Sequence, residues 1–378
     1  MSRIRLLFVL TSPVRGGAEE VVLALLSRLN RREFRMALAG PEALLRALGP
    51  ELQALDVEAF QVMAESWLKP KELEKLASCI RFFRPDIVNP HLFRSTLVAA
   101  PMAKWLGVPR VVETYHGREA WRRGPLKGSF LVDRTVSRWV DRIIAVSEAA
   151  AEFLVRAKKI SPRKVVVVPN GCDLSAFRPG EKRDQIRVAL GIEPEAPVVG
   201  VVGRFEPQKG HRFFLSALPA VLSQFPRARL LLVGDGTLRA EIEEQARSLG
   251  IFSRCIFTGY RTDVPGLLDA IDLVVLPSLY EGMPLSAIEA AAMAKPIVAT
   301  RVDGTPEVVQ DGVTGRLVAP ADPQALGDAI AALLGNSSEA RRMGEAGRER
   351  VLARFDLGSQ IEATARVYRE VVNTRHRA

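Results

Sequence analysis

Short apolar runs alternate with amphipathic stretches through the first half of the chain. Seven runs have the length and composition of buried strands, at Arg5–Leu10, Met36–Ala39, Val57–Val62, Asp86–Asn89, Arg110–Thr114, Arg142–Val146 and Lys164–Val168. Apolar residues at helical spacing lie between most of them, for example in Ala18–Leu29, Leu73–Phe83 and Ser95–Leu106. Strands that alternate with helices predict a parallel, doubly wound sheet of the α/β class.

The alternation stops in a segment rich in proline, glycine and charge and then restarts. Later strands are predicted at Val198–Val202, Leu230–Val233, Cys255–Thr258, Asp272–Leu276 and Ile297–Thr300, and later helices at Gly210–Gln224, Leu238–Leu249, a stretch beginning at Pro284, Pro323–Leu334, Ser338–Arg354 and Leu357–Val372. We therefore expect a first Rossmann-like domain over 1–175, a linker over 176–196 and a second Rossmann-like domain over 197–356. A last helix within 357–378 is expected to cross back toward the first domain. Two such domains facing each other would place the carboxyl ends of their strands, where ligands bind, along one cleft.

Composition narrows the class of protein. The chain has 378 residues, of which 48% are apolar and 25% charged, as in ordinary globular proteins. No apolar run approaches the ~20 residues of a membrane span. The start, MSRIRLLFVLTSP, lacks the cleavage site of a signal peptide and fits a buried first strand better. The scattered Cys79, Cys172 and Cys255 argue against a disulfide framework or zinc site and indicate a reducing cytoplasm.

The net charge of +10 lies entirely in the first half of the chain. Residues 1–180 contain 29 Lys and Arg against 18 Asp and Glu (+11), whereas the remainder contains 24 against 25 (−1). Segment Arg118–Lys164 has 12 basic and 5 acidic residues, with Trp121, Phe130, Leu131 and Trp139 among them. This mixture predicts either contact with an anionic membrane or other acidic partner, or an arginine-rich solvated surface. Nucleic acid is not expected, because no reader motif accompanies the basic residues.

The stretch LYEGMPLSAIE, Leu279–Glu289, carries the most informative pattern. A predicted strand ends before it, a short loop carries Glu281, and a helix is expected to begin at Pro284, since proline suits the first helical position. Glu289 would then lie in the second turn of that helix. Free N–H groups at a helix start attract a phosphate, and nearby carboxylates accept hydrogen bonds from sugar hydroxyls. The pattern therefore predicts a nucleotide-sugar site.

Two loops that follow strands of the first half hold further candidates. Gly16 and Gly17 precede a helix, where they let the backbone approach an anion or merely form a tight turn. His116 follows the strand Arg110–Thr114 and is placed to contact a sugar through its neutral ring. His91 also follows a strand. We leave open whether it belongs to an acceptor site, supports a residue of the site or lies in the core.

A loop of the second half, GRFEPQKG, holds two cations. It begins at Gly203 and contains Arg204, which can bind two phosphate oxygens at once, and Lys209, a compact charge. Both would stabilise a departing nucleoside diphosphate. The chain has no D-x-D pair and no cluster with metal-ligand spacing, so neither a metal nor another cofactor is expected. Gly234 and Gly236 lack the third glycine of a dinucleotide site, which argues against a nicotinamide oxidoreductase.

With these residues, the chain resembles the family-4 (group 1) retaining glycosyltransferases, whose fold is called GT-B. Glu281 and Glu289 match the family's pair of glutamates, with seven residues between them. Other stretches resemble family segments in the same order, namely Gly16–Glu19, His116-Gly117, VPNGCD, GRFEPQKG, VGDGTLR, FTGY, LPSLYEGMPL, KPIVAT and TPEVVQDGVTGRLV. The resemblance covers nearly the whole chain.

The resemblance implies a role for each matched residue. Glu289 would bind the ribose hydroxyls and Glu281 the donor sugar ring. Arg204 and Lys209 would bind the diphosphate, and His116 would lie beside the transferred sugar. The donor site as a whole would contain Gly16, Gly17, Gly203, Gly282, Met283, Pro284, Leu285 and Glu289. The resemblance also implies front-face attack, in which the leaving phosphate takes the acceptor's proton and no protein nucleophile is required.

The chain departs from the family pattern at three positions. Ala294 replaces a glycine at the end of the helix that carries Glu289, where only local repacking is expected. Asp303 stands where a glycine is frequent, although Gly304 follows it, and Cys172 replaces a β-branched apolar residue. None of these positions belongs to the predicted donor site.

The resulting hypothesis is a cytoplasmic, metal-independent, retaining glycosyltransferase that uses a nucleotide-diphospho sugar. Its acceptor would be a saccharide or a lipid-linked saccharide, in the synthesis of a cell-surface polysaccharide or lipopolysaccharide at the inner face of the membrane. One alternative is a GT-B nucleotide-sugar epimerase or hydrolase. Another is a non-catalytic module that binds a nucleotide sugar.

Overall fold

A computed structural model describes residues 3–62, 69–118 and 130–374. The chain divides into two compact units, the first formed by Met1–Asn170 with Leu357–Ala378 and the second by Gly171–Asp356. Each unit is built on one parallel sheet, so the predicted pair of doubly wound α/β sheets is confirmed.

The first unit has a sheet with the strand order β3-β2-β1-β4-β5-β6-β7 among the described residues. Its strands are β1 Ile4–Val9, β2 Phe34–Gly40, β3 Glu58–Gln61, β4 Ile87–Pro90, β5 Arg110–Tyr115, β6 Arg142–Ala145 and β7 Val165–Val167. Its helices are α1 Gly17–Arg28, α2 Glu42–Ala47, α3 Gly49–Ala54, α4 Pro70–Phe83, α5 Phe93–Trp105, α6 Leu131–Val136, α7 Glu148–Glu152 and, from the end of the chain, α16 Leu357–Asn373. Leu7 and Val9 of β1 pack in one core, and Leu6 and Phe8 pack in another. Helices therefore cover both faces, which explains why β1 is a continuous apolar run.

The last helix, α16, completes the second of these two cores. Its Ile361, Ala365 and Tyr368 pack in the same core cluster as Leu25 of α1 and Phe34 of β2. The rings of Phe34 and Tyr368 meet edge to face with their centroids 6.1 Å apart. The helix is thus an integral part of the first unit.

The second unit has a sheet with the strand order β10-β9-β8-β11-β12-β13. Its strands are β8 Val198–Val202, β9 Arg229–Val233, β10 Cys255–Gly259, β11 Leu273–Leu276, β12 Ile297–Thr300 and β13 Gly315–Val318. Its helices are α8 Arg183–Ala189, α9 His211–Gln224, α10 Arg239–Ser248, α11 Val264–Ala270, α12 Leu285–Ala292, α13 Thr305–Val308, α14 Pro323–Gly335 and α15 Ser337–Arg354. Across both units, no described helix combines the length and apolar character that a membrane span requires.

The segment expected to be a linker, 176–196, lies inside the second unit. It contains α8, whose Arg187 is only 1% exposed. The guanidinium of Arg187 donates to the carbonyl oxygens of Pro194 (2.6 Å), Ala196 (3.0 Å) and Ala270 (3.1 Å) and pairs with Asp272 (2.7 Å). A buried arginine that satisfies four acceptors explains why a segment with a linker-like composition is packed against the sheet.

The two ends of the second unit lie next to each other. The N–H of Cys172 donates to the carbonyl of Phe355 at 2.9 Å, and Cys172 forms a parallel bridge with Asp356. The chain therefore enters and leaves this unit through adjacent, hydrogen-bonded segments.

Candidate active site

The loop after β8 joins the strand to α9 and carries both predicted cations of the second unit. Its 3-10 turn, Pro207–Lys209, is followed by Gly210 with φ +65°. A Cβ added to Gly210 would lie 2.0 Å from the carbonyl oxygen of Pro277, which follows β11. Glycine therefore brings the loop after β8 against the loop after β11, and this contact places Lys209 beside Glu281.

Glu281 is a buried carboxylate, 5% exposed, with several donors around it. Its Oε1 accepts from Nζ of Lys209 at 2.6 Å and from the hydroxyl of Ser278 at 2.7 Å. Its Oε2 has one long contact, with Nε2 of Gln208 at 3.4 Å. One oxygen is thus fixed by protein groups, and the other keeps capacity to accept a hydrogen bond from a ligand.

Asp303 also supports Glu281, a role that the sequence did not reveal. Its Oδ2 accepts the backbone N–H of Glu281 at 2.9 Å, and its own backbone has φ +38°. Aspartate is one of the few residues besides glycine that tolerate this region. The replacement of the family's glycine by Asp303 was visible in the sequence, but its contact with Glu281 depends on the tertiary fold.

Arg204 differs from Lys209 although both belong to the same loop. Its side chain is half-buried, and its guanidinium has no hydrogen bond or ion pair with any residue that the structure describes. The adjacent Gly203 lies beside the Lys209 side chain, since an added Cβ would be 3.7 Å from Cδ of that lysine. The loop thus contains one cation held by a carboxylate and one cation whose side chain has no partner among the described residues.

The helix α12 begins one residue later than the sequence predicted. Pro284 is its N-cap, with ψ 109°, and Leu285 is its first helical residue, so the assignment of Pro284 to the first helical position was wrong. The fixed φ of proline suits either position, and its extended ψ decides between them. No side chain caps this start, and an uncapped helix start is a typical place for an anion to bind.

The other predicted donor-site residues of the second unit lie around this helix start. Gly282 and Leu285 are half-buried, and Met283 is buried. Glu289 lies in the second turn, as predicted, and is half-buried. It is close enough to Cys172 that its charge, after the larger effect of burial, helps to raise the pKa of that thiol.

In the first unit, Gly16 and Gly17 form the start of α1. Gly16 is the N-cap and Gly17 the first helical residue, and no side chain caps this helix. Gly17 is exposed. The exposed first residue and the uncapped start are compatible with the anion-binding turn that the sequence predicts, which stays a prediction.

His116, at the carboxyl end of β5, belongs to a chain of hydrogen bonds. Its Nε2 lies 2.9 Å from Nδ1 of His91, whose Nε2 lies 3.1 Å from Oδ1 of Asn89. The hydroxyl of Tyr368 donates to the same Oδ1 at 2.7 Å. Asn89 and His91 are 0% exposed and Tyr368 is also fully buried. His91, whose role the sequence left open, is thus a direct partner of His116.

Burial disfavours the charged form of both of these histidines. Desolvation lowers the pKa of His116 to about 4. Desolvation, followed by the neighbouring His116, holds the pKa of His91 well below its usual range. This environment favours the neutral ring that the sequence predicts for His116.

The structure brings Lys209 and Glu281 into contact, and it adds Asp303 to them. It links His116 with His91, Asn89 and Tyr368. Among the described ranges, no group of three or more His, Cys, Asp or Glu side chains could hold a metal ion.

Residues 15–176 match the family described as Glycosyltransferase Family 4, and residues 196–336 match the family Glycosyl transferases group 1. The alpha-maltose-1-phosphate synthase of Mycolicibacterium smegmatis is 31% identical over 312 residues, which span 75% of this chain and 79% of that protein. The UDP-Gal:alpha-D-GlcNAc-diphosphoundecaprenol alpha-1,3-galactosyltransferase of Escherichia coli is 29% identical over 331 residues, 84% of each chain. Among solved structures, Anabaena HepE in complex with UDP and glucose has a TM-score of 0.84 at 23% identity, covering 97% of this chain and 100% of HepE.

Proposed function

This chain belongs to the group 1 (family 4) glycosyltransferases, and we propose that it transfers a sugar, with retention of configuration, from a nucleotide-diphospho sugar to a saccharide or lipid-linked acceptor. The contrast within the loop after β8 carries the proposal. Lys209 is held against Glu281, whereas the guanidinium of Arg204 has no partner among the described residues. A cation without a described protein partner and an uncapped helix start in the same unit both suit a diphosphate.

The proposed mechanism assigns charge stabilisation to the protein and proton transfer to the substrate. Arg204, Lys209 and the start of α12 bind the diphosphate, and Glu289 binds the ribose hydroxyls. Glu281, through its less occupied Oε2, accepts a hydrogen bond from the sugar. The bond between the anomeric carbon and the phosphate oxygen breaks as the acceptor oxygen attacks from the same face. The acceptor's proton passes to that phosphate oxygen, so no protein nucleophile takes part.

Metal independence is part of this proposal. The chain has no D-x-D pair, and two cations on one loop can neutralise the departing diphosphate. Transfer measured with EDTA should therefore proceed at the rate seen with added Mg²⁺. A loss of turnover in EDTA that Mg²⁺ restores would overturn this part.

Three measurements test the activity. Thermal shifts with UDP, GDP and ADP identify the base, since a ligand that binds the folded state raises the melting temperature. Release of the nucleoside diphosphate is then followed with the matching sugar donor and simple saccharide or polyprenyl-diphosphate saccharide acceptors. NMR of the product's anomeric proton reports whether configuration is retained.

The same assay separates the alternative functions. An epimerase would interconvert the sugar nucleotide without diphosphate release, and a hydrolase would release it without an acceptor. A binding module would show the thermal shift but no turnover. Acceptor-dependent release with a new glycosidic bond supports transfer over all three.

A lipid-linked acceptor at the inner face of an anionic membrane is the favoured acceptor class. On α6, Leu131 is 66% exposed and Val132 53% exposed, within the basic segment that the sequence marked for membrane contact; Trp121 of that segment lies outside the described residues. Exposed apolar side chains among cations suit an interfacial contact. Full-length protein should float with phosphatidylglycerol vesicles at low salt, and the Leu131→Glu/Val132→Glu variant should not. Equal flotation of the wild type and the variant, or no flotation of the wild type, would contradict the proposed membrane contact.

A further inference from the structure

The side-chain amide of Asn89 has only one orientation that satisfies its neighbours. One end of the amide faces the backbone carbonyl of Val112 and the hydroxyl of Thr114. A backbone carbonyl accepts but cannot donate, so the atom facing Val112 must be the NH₂ group. Oδ1 then faces the hydroxyl of Tyr368 and Nε2 of His91. Because Oδ1 only accepts, both of those groups must donate to it.

This orientation determines which nitrogen of His91 carries hydrogen. Nε2 must be protonated in order to donate to Asn89. The ring is fully buried and neutral, so its other nitrogen, Nδ1, keeps a lone pair. That lone pair lies 2.9 Å from Nε2 of His116. Two lone pairs facing each other at this distance would repel, so Nε2 of His116 must carry the hydrogen.

The reasoning extends to the outer nitrogen of His116. A neutral ring with hydrogen on Nε2 has a lone pair on Nδ1. No described residue forms a hydrogen bond with Nδ1 of His116, and the ring is half-buried at the carboxyl end of β5. His116 therefore offers a hydrogen-bond acceptor, not a donor, at the end of the sheet where ligands bind.

We propose that Asn89 is a positioning residue that acts through His91 and holds His116 in the tautomer with hydrogen on Nε2, so that Nδ1 accepts a hydrogen bond from a hydroxyl of the transferred sugar. Only the final contact with the sugar rests on the proposed function. Tyr368 donates the second hydrogen bond to Oδ1 of Asn89. Its buried side chain forms the core end of a hydrogen-bonded array that consists of Tyr368, Asn89, His91 and His116. The site therefore favours a sugar with a hydroxyl at the position that contacts Nδ1 of His116. A sugar with a carboxylate there is disfavoured, because the carboxylate oxygen would face the lone pair of Nδ1.

The tautomer can be measured without turnover. The chain has four histidines, so ¹⁵N-histidine labelling of the full-length protein gives few ring signals, and the signals of His116 are assigned by their loss in His116→Gln. In the wild type, two-bond ¹H–¹⁵N correlations should show hydrogen on Nε2 of His116. Hydrogen on Nδ1 of His116 in the wild type would overturn the proposal without any variant.

Two variants should allow His116 to adopt both tautomers, and one control variant should not. Asn89→Leu removes the acceptor for His91, and His91→Phe removes the acceptor for His116, so each should give a mixture of the two His116 tautomers. The second variant serves if the first does not fold. Tyr368→Phe removes one donor to Asn89 but leaves the Val112 carbonyl that orients the amide, so the tautomer should persist. A single unchanged tautomer in folded Asn89→Leu or His91→Phe contradicts the proposal, as does a mixture in Tyr368→Phe.

A turnover arm tests the contact with the sugar separately. With UDP-glucose and UDP-galactose as donor probes, Asn89→Leu should lower kcat on the order of tenfold, the loss of about one hydrogen bond, and leave the Kd of UDP unchanged. A mixed tautomer with unchanged kcat would overturn the contact but not the array. Absence of turnover in the wild type with any sugar nucleotide would count against the proposed function, while the NMR result would still decide the array.

Discussion

The ammonium of Lys209 lies 2.6 Å from Oε1 of Glu281, and the two residues come from loops that follow the neighbouring strands β8 and β11. Both side chains are largely removed from water, with 20% of the lysine and 6% of the glutamate side chain exposed. Arg204, on the same loop as Lys209, has no such partner in the described part of the chain. Two cations that look equivalent in the sequence therefore have different effects on stability and binding.

We expect Lys209→Met to destabilise the fold. The substitution leaves Glu281 buried with only Ser278 and a long contact to Gln208, and loss of one member of a shielded ion pair costs about 2 kcal/mol after allowance for the exposed fraction of the lysine. Urea denaturation measures the loss in the free energy of unfolding. The double variant Lys209→Met/Glu281→Gln should recover part of it, because no unpaired charge remains. A double variant less stable than Lys209→Met would contradict this explanation.

Arg204→Met should leave the stability of the fold nearly unchanged and weaken nucleotide binding. Its guanidinium has no described partner in the protein, so the melting temperature should stay near that of the wild type. The Kd of the nucleoside diphosphate should rise on the order of tenfold through the loss of hydrogen bonds to a charged group. Calorimetric titration with the nucleotide that gives the largest thermal shift measures this. Unchanged affinity would remove Arg204 from the diphosphate site.

The two glutamates should separate nucleotide binding from transfer. Glu289→Gln should weaken binding of the free nucleoside diphosphate by roughly 1–3 kcal/mol, since a carboxylate hydrogen-bonded to ribose is lost. Glu281→Gln should leave that affinity nearly unchanged and lower kcat. The glutamine variant of Glu281 is preferred to alanine because the buried site needs an acceptor for Lys209 and Ser278. Equal losses of nucleotide affinity in both variants would refute this division of roles.

Gly210 and Gly191 provide a matched pair for testing the loop contact. Both have φ +65°, but a Cβ at Gly210 would meet the Pro277 carbonyl oxygen at 2.0 Å, whereas a Cβ at Gly191 would meet nothing within 4 Å. Gly191→Ala should cost about 1 kcal/mol from backbone strain alone. Gly210→Ala should cost clearly more in chemical denaturation and should also weaken nucleotide binding, because the two loops must separate. Similar costs for both variants would show that the close approach is unimportant.

Acid should destabilise the protein partly through His211, at the start of α9. Burial, with a smaller effect of Lys209, lowers its pKa to about 3. Between that value and the unfolded pKa of about 6.5, only the unfolded chain binds the proton. The contribution of neutral His211 to the free energy of unfolding is therefore complete above the pKa of the unfolded chain. It is lost as pH falls below that pKa, by about 1.4 kcal/mol per pH unit.

His211→Phe should reduce this pH dependence. Neither ring nitrogen of His211 has a hydrogen-bond partner among the described residues, and the ring meets Phe205 edge to face with centroids 4.7 Å apart. Phenylalanine keeps that contact and binds no proton. Urea denaturation between pH 7 and pH 5 should show a shallower loss of unfolding free energy in the variant. Parallel curves for the two proteins would mean that His211 is not the group responsible.

The repeating architecture could be predicted from the sequence, because most strands are buried on both faces and remain continuous apolar runs. The strand β13, Gly315–Val318, was missed since Gly315 and Arg316 interrupt its apolar pattern and its residues are alternately buried. The short helices α2 and α8 were also missed, because six or seven residues hold too few turns for a periodic signal.

The candidate site could be predicted only where a residue's own neighbours in sequence indicated it. Glu281, Lys209 and His116 follow strands and were therefore recognisable. Asp303 was noted only as a departure from a family pattern, since its bond to the Glu281 backbone depends on how β12 lies beside β11. Tyr368 lies 279 positions from its partner Asn89, and no local pattern reports a contact over that distance.

The adjacent ends of the second unit have a consequence for the order of events during biosynthesis. Every residue of Gly171–Asp356 precedes α16 in the chain, so this unit can close without any part of the last helix. The first unit cannot close without α16, because its core includes Ile361, Tyr368 and Val371. We therefore expect the usual amino-terminal-first order of domain completion to be reversed, with the second unit able to close before the first unit, whose core requires α16.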